Sequence, residues 1–289
     1  MIDFLQALLD PQVAFLRYAV LVGLLASVAF GITGTYVVTR RISYLAAAIA
    51  HCVLGGVGLA VYLHYLYGLW WLSPLLGAAV AAVVSALLIG WVSLVAQQRE
   101  DTAIGAVWSV GMALGLIFLQ QVPGYLADPM SYLFGDILLV GPADLSTVLI
   151  LDLVVLGLVA LWHPKLTAVC FDEEFAAVRG LPVKRYYLAL LCLTALAIVL
   201  LIRLVGMILV IALMTLPAAT AGQFARRLVP MMCWATGVCM VCVLAGIAFS
   251  YIWGLRTGPV IVLIAALFYA MAAAIGRWRS NTLRRLYSP

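Results

Sequence analysis

The sequence predicts an all-α fold: a polytopic membrane helix bundle of about nine spans (8–10), forming a single domain over residues 1–289. Three observations predict it. Only 9% of the residues are charged, against roughly 25% in a soluble domain. Hydrophobic residues make up 67% of the chain, and the mean hydropathy is +1.20. The apolar residues also fall in long runs, and about 20 such residues suffice to cross the hydrocarbon core. A chain this poor in polar surface needs membrane lipid as its solvent. The net charge of +5 is spread among the ends of the apolar runs, which argues against a nucleic-acid partner.

Met1–Gln12 carries Asp3 and Asp10 and has no basic n-region, so it does not read as a cleaved signal peptide. Ile2, Leu5, Leu8 and Leu9 share a helical face there, which suits a short interfacial helix. Spans are predicted near 13–38, 43–66, 70–95, 102–121, 143–162, 186–202, 204–221, 229–252 and 257–276. The sixth and seventh meet at Arg203 with no loop between them. Gln121–Ala143, with three prolines and three glycines, is too broken for a lipid-facing helix, although a short helix is expected around Ser131–Val140. The six cysteines lie mostly within apolar stretches and are not spaced as a disulfide framework.

Orientation follows from the basic residues. With the N-terminus outside and the C-terminus cytoplasmic, 13 of 16 fall inside, and only Arg17, Arg203 and Arg256 fall outside. The longest inner connection, 163–185, contains Phe171-Asp-Glu-Glu-Phe-Ala-Ala-Val-Arg-Gly-Leu-Pro-Val183. Asp172 is placed to accept bonds from first-turn amides, and Glu173 and Glu174 sit at the positive end of the helix dipole. Gly180 suits a left-handed end, and Pro182 blocks continuation. The prediction is a helix of about two turns with Phe171, Phe175 and Val178 on one face. Such a helix could plug into a cytoplasmic partner or rest on lipid headgroups.

Several segments together resemble the metal-transporting ABC permease family, whose members import zinc, manganese or iron. They are Arg40-Arg-Ile-Ser-Tyr-Leu-Ala-Ala-Ala-Ile-Ala-His-Cys-Val-Leu-Gly-Gly56, Glu100-Asp-Thr-Ala-Ile-Gly105, the Phe171–Val183 segment, Val205–Ala221 and Gly258-Pro-Val-Ile-Val-Leu263. They occur in the family's order and cover most of the chain. The resemblance implies a type II ABC importer permease in the bacterial cytoplasmic (inner) membrane, working as a permease homodimer. Each copy would dock an ABC ATPase, and an external metal-binding protein would deliver the ion. It also implies that Phe171–Val183 is the coupling helix, with Phe171, Asp172, Glu173, Glu174, Phe175, Val178 and Gly180 meeting the ATPase. The chain has no G-x-x-x-x-G-K-[ST] loop. It is therefore expected to be no enzyme, to hold no permanent cofactor and to leave ATP to the partner subunit.

The family usually has Asp four residues before the second-span histidine, on the same helical face. Here His51 is kept, but that position is Ala47, and the proline that often follows is Gly55. His51 is the first candidate ligand for a divalent ion in transit, because an ionisable residue at membrane depth is costly to keep; a packed histidine is the alternative. Cys52 points about 100° away around the helix. His64 lies near the outer mouth, and Asp152 is the acid at membrane depth, expected to face the bundle interior, with Arg203 as one possible partner. Cys239 and Cys242 form a C-x-x-C that could ligate a metal or simply pack. Asp136 and Asp144 could attract cations outside or act as caps. Two other functions remain open on sequence: an ABC permease for a metal chelate, siderophore or corrinoid, and a secondary transporter or channel.

Overall fold

The computed structural model describes Phe4, Gln6, Leu8, residues 13–95, 100–123, Gly135 and 140–287. The described residues form ten helices: α1 (Ala14–Thr39), α2 (Ser43–Tyr67), α3 (Pro74–Val95), α4 (Glu100–Gln120), α5 (Pro142–Phe171), α6 (Glu173–Val178), α7 (Val183–Val205), α8 (Met207–Gly222), α9 (Leu228–Trp253) and α10 (Thr257–Tyr287). Six of them, α1, α2, α3, α5, α9 and α10, are each long and apolar enough to cross a membrane. Part of α4 (Ile104–Gln120) and α8 are shorter apolar helices. With α7, these make the nine long helices expected from the sequence.

α1 is the centre of the bundle, packed by α5, α7, α8 and α9. Its neighbours come close because it has notches. A Cβ on Gly31 would strike Thr236 of α9, and one on Gly34 would strike the Met214 carbonyl of α8. At 16 residues, α8 is about 24 Å long, short of the roughly 30 Å hydrocarbon core. Most of its side chains are buried, so protein rather than lipid surrounds it. Pro217 sits inside α8, where proline cannot donate to the Leu213 carbonyl one turn earlier. The junction of α7 and α8 is a single residue, Gly206, at φ 81°, a left-handed angle that suits glycine.

α2 packs most closely on α4 and then on α3. The α2–α4 seam is built from small residues. A Cβ on Gly55 would lie 2.7 Å from the Gly111 carbonyl oxygen, and one on Gly111 would lie 2.9 Å from Cys52. Such seams let helix backbones pack without intervening side chains.

Three boundaries differ clearly from the expected ones, and the largest difference is at α10, which runs on to Tyr287 rather than stopping near 276. α5 does not stop near 162; it runs through Pro164 to Phe171. A helical proline costs about 3 kcal/mol, but Leu166, Val169 and Cys170 beyond it are buried, and His163 Nδ1 bonds the Tyr36 hydroxyl of α1 at 2.7 Å. Packing therefore carries the helix through. α3 starts at Pro74 rather than 70, with Ser73 Oγ accepting from the Leu76 amide at 3.2 Å. Serine as cap followed by proline at the first helical position is a readable start signal. At the N-terminus, Phe4 is helical and buried, edge-on to Tyr251 at 6.1 Å. Asp136 and most of the Ser131–Val140 segment lie outside the described residues.

Candidate functional site

His51 lies near the middle of α2 and is half-buried. Its Nδ1 is 2.8 Å from the carbonyl oxygen of Ala47, one turn earlier. A carbonyl only accepts, so Nδ1 carries the proton and the lone pair of the neutral ring is on Nε2. The ring stacks on Trp108 of α4, with centroids 4.3 Å apart and planes at 33°. Tyr44, two turns before His51, meets the same indole at 6.0 Å. The imidazole is thus held at one nitrogen and one face. Sequence reading passed over Trp108, although a tryptophan in mid-span, away from the interfacial belts, is a signal that can be read.

The other candidates do not gather around His51. The Cys52 thiol donates to the Val107 carbonyl at 3.2 Å, a packing contact with α4. His64 is exposed at the end of α2, where Nδ1 bonds the Leu69 carbonyl at 2.9 Å across the left-handed Gly68. Asp152 is 3% exposed, beside the Ala29 backbone of α1, and neither carboxylate oxygen has a hydrogen-bond partner among the described residues. The Arg203 side chain, a proposed partner, lies outside the described residues. Cys239 and Cys242 are free, fully buried thiols. Asp144 caps α5, accepting from the Gly141 amide at 3.0 Å. No cluster of three or more His, Cys, Asp or Glu side chains suited to a metal occurs among the described residues.

The second candidate site is α6. Asp172 Oδ1 accepts from the Phe175 amide at 2.8 Å, closing the N-terminus. The Leu181 amide bonds the Ala176 carbonyl at 3.1 Å and the Gly180 amide bonds that of Ala177 at 2.9 Å, with Gly180 at φ 76°. This is a Schellman end, and glycine fits its left-handed residue. Ala176 is buried, whereas Phe171, Phe175 and Val178 are 64%, 53% and 88% exposed. α6 therefore turns its small residue inward and Phe175 and Val178 outward, whereas Phe171, expected on the same helix, is the exposed last residue of α5, because the extended Asp172 separates the two helices.

An ion pair missed by sequence reading ties α6 to the bundle: Arg40, at the end of α1, pairs with Glu173. The same guanidinium lies over the Tyr187 ring of α7 at 5.5 Å, and the Tyr187 hydroxyl is 3.1 Å from Ser93 Oγ of α3. Arg41 takes a left-handed φ of 60°, unusual without glycine, and the Ile42 amide bonds back to Val37 at 3.0 Å. The α1–α2 turn, α3, α6 and α7 thus converge on a polar cavity of about 340 Å³. Sequence separation hid this cluster: the basic pair at 40–41 reads locally as an orientation signal and as the start of the Arg40–Gly56 motif, and neither points to Glu173.

Comparison with known proteins fits this layout. The ABC 3 transport family model matches residues 12–276. A Chlamydia pneumoniae relative named "Probable metal transport system membrane protein" is 40% identical, over 86% of this chain and 85% of its own. The manganese transport system membrane protein MntC of Halalkalibacterium halodurans is 33% identical, over 90% of this chain and 86% of its own. Among solved structures, PsaBC from Streptococcus pneumoniae in complex with Fab superposes with a TM-score of 0.82 at 30% identity, covering 94% of this chain and 95% of that one. An inward-facing metal-chelate type ABC transporter has a TM-score of 0.67 at 13% identity, covering 91% and 85%, and shares the fold alone. This multi-pass helical chain belongs to the ABC 3 transport family.

Proposed function

We propose that this chain is the permease subunit of an ABC importer that carries a divalent transition-metal ion, zinc, manganese or iron, into the cell. One observation carries the reading beyond family membership: Phe171 at the end of α5 and Phe175 and Val178 of the capped helix α6 all lie exposed, on a chain with no phosphate-binding loop of its own. That face suits a cleft on a separate ATPase, where Asp172, Glu173, Glu174 and Gly180 set its shape. Two copies pair in the inner membrane, with N-termini outside, C-termini inside and an external metal-binding protein above. His51 is the transit ligand, acting through Nε2. Cys52 and His64 are occupied by backbone contacts, and Asp152 is buried beside the Ala29 backbone of α1 rather than beside His51.

The test is ATP-driven metal uptake by proteoliposomes holding the permease and its ATPase, supplied with the binding protein. Uptake is expected with the complete set and no uptake without the ATPase. His51→Ala should cut uptake while leaving complex assembly intact. Uptake that persists without nucleotide hydrolysis would remove the importer reading, and full uptake by His51→Ala would remove that residue from the path.

A further inference from the structure

The surroundings of His51 carry a preference among metals. α2 packs against α1, α3, α4, α7 and α8. Of these helices, α1, α2, α3, α7 and α8 contain no Asp or Glu, and the acids of α4 are confined to Glu100 and Asp101 at its start, two turns before Trp108. Asp152 is on α5, which packs on α1 and α7 and not mainly on α2. The nearest thiol, Cys52, is engaged by the Val107 carbonyl. Among the described residues, the donor left open at His51 is one nitrogen lone pair, fixed in direction by the Ala47 carbonyl and the Trp108 face. A second copy of the chain would add another of the same kind.

Manganese, like magnesium and calcium, is suited by carboxylate, carbonyl and water oxygens, whereas imidazole suits zinc, copper, iron and nickel. Manganese also stands lowest in the affinity order of the divalent first-row ions. Resting on the permease reading above, we propose that the His51 site is a carboxylate-free, nitrogen-donor site that accepts zinc and discriminates against manganese, with Trp108 as the positioning residue that holds the imidazole. This departs from what the names of the manganese-system relatives suggest. Ala47 is the position where oxygen chemistry could be restored: it is half-buried, one turn before His51, on the same face.

The experiment compares 65Zn and 54Mn uptake by the permease–ATPase complex in proteoliposomes, with the same binding protein in every arm. The wild-type complex should favour zinc by on the order of tenfold or more. Ala47→Asp should lower that ratio several-fold by gaining manganese uptake. Trp108→Ala should raise the half-saturating zinc concentration more than it lowers the maximal rate, and Trp108→Phe should restore it. Should Ala47→Asp fail to assemble, equilibrium binding of the two ions to the detergent-purified wild-type complex gives the same comparison without substitution. Equal handling of zinc and manganese by the wild type, or an unchanged ratio in assembled Ala47→Asp, would overturn the preference while leaving the importer standing. ATP-dependent uptake of neither ion would overturn both.

Discussion

The α2–α4 seam predicts a strong difference between two Gly→Ala substitutions. A Cβ added at Gly115 of α4 would stand 2.5 Å from both the carbonyl carbon and oxygen of Leu54 and 2.8 Å from the Gly55 nitrogen. Relaxed carbon contacts need about 3.5 Å, so α4 would have to withdraw by about 1 Å. Overpacking of this kind costs about 1–3 kcal/mol, and backbone rather than a flexible side chain is what must yield, which favours the upper end. Alanine returns up to about 1 kcal/mol of helix propensity. The net loss is about 1–2 kcal/mol, or about 3–6 °C in thermal midpoint at roughly 3 °C per kcal/mol. Gly157 of α5 is the control, because a Cβ there meets nothing within 4 Å. Gly157→Ala should be neutral or slightly stabilising. The assay is thermal unfolding of purified protein in detergent, followed by tryptophan fluorescence. Because α4 carries Trp108, Gly115→Ala should also lower metal uptake by loosening the stack on His51. Equal midpoints for Gly115→Ala and wild type, or an equal fall in Gly157→Ala, would refute the packing argument.

Three other outcomes follow from the α6 end of the bundle. Arg40→Glu or Glu173→Arg should each reduce metal moved per ATP hydrolysed, and the double exchange should recover it; thermal stability should change little, since a half-exposed pair contributes about 0.2–1 kcal/mol. Val178→Glu should abolish ATPase co-purification without moving the thermal midpoint, because that side chain is 88% exposed. Gly180→Ala should raise hydrogen exchange at the Leu181 amide, since a left-handed alanine costs about 1–2 kcal/mol in the turn that holds it.

Local chemistry was legible in the sequence, and contacts between distant segments were not. Hydrophobic runs marked where each of the nine long helices lies, and both ends of several, as with 13–38 against Ala14–Thr39, whereas α5 and α10 run about ten residues past the apolar run that marks them. Asp172 and Gly180 foretold both ends of α6, because capping acts over three or four residues. The end of α5 was not legible, since whether a helix continues through a proline such as Pro164 depends on what lies beyond it; here buried Leu166 and Val169 decided. The Arg40–Glu173 pair, the Tyr36–His163 bond and the Trp108–His51 stack join helices far apart in the chain, and no spacing rule reaches them. The direction of the Cys52 thiol was half legible: helical geometry turned it from His51, but only packing supplied Val107 as its partner.

The join between α5 and α6 has a mechanical consequence. α5 is a rod of 30 residues, about 45 Å from end to end, and a single extended residue, Asp172, separates it from α6. A connection that short stores almost no slack. Any tug delivered at α6 is passed to the rod with little loss, and Pro164, which lacks an amide to donate, is where the rod has one hydrogen bond fewer to resist it.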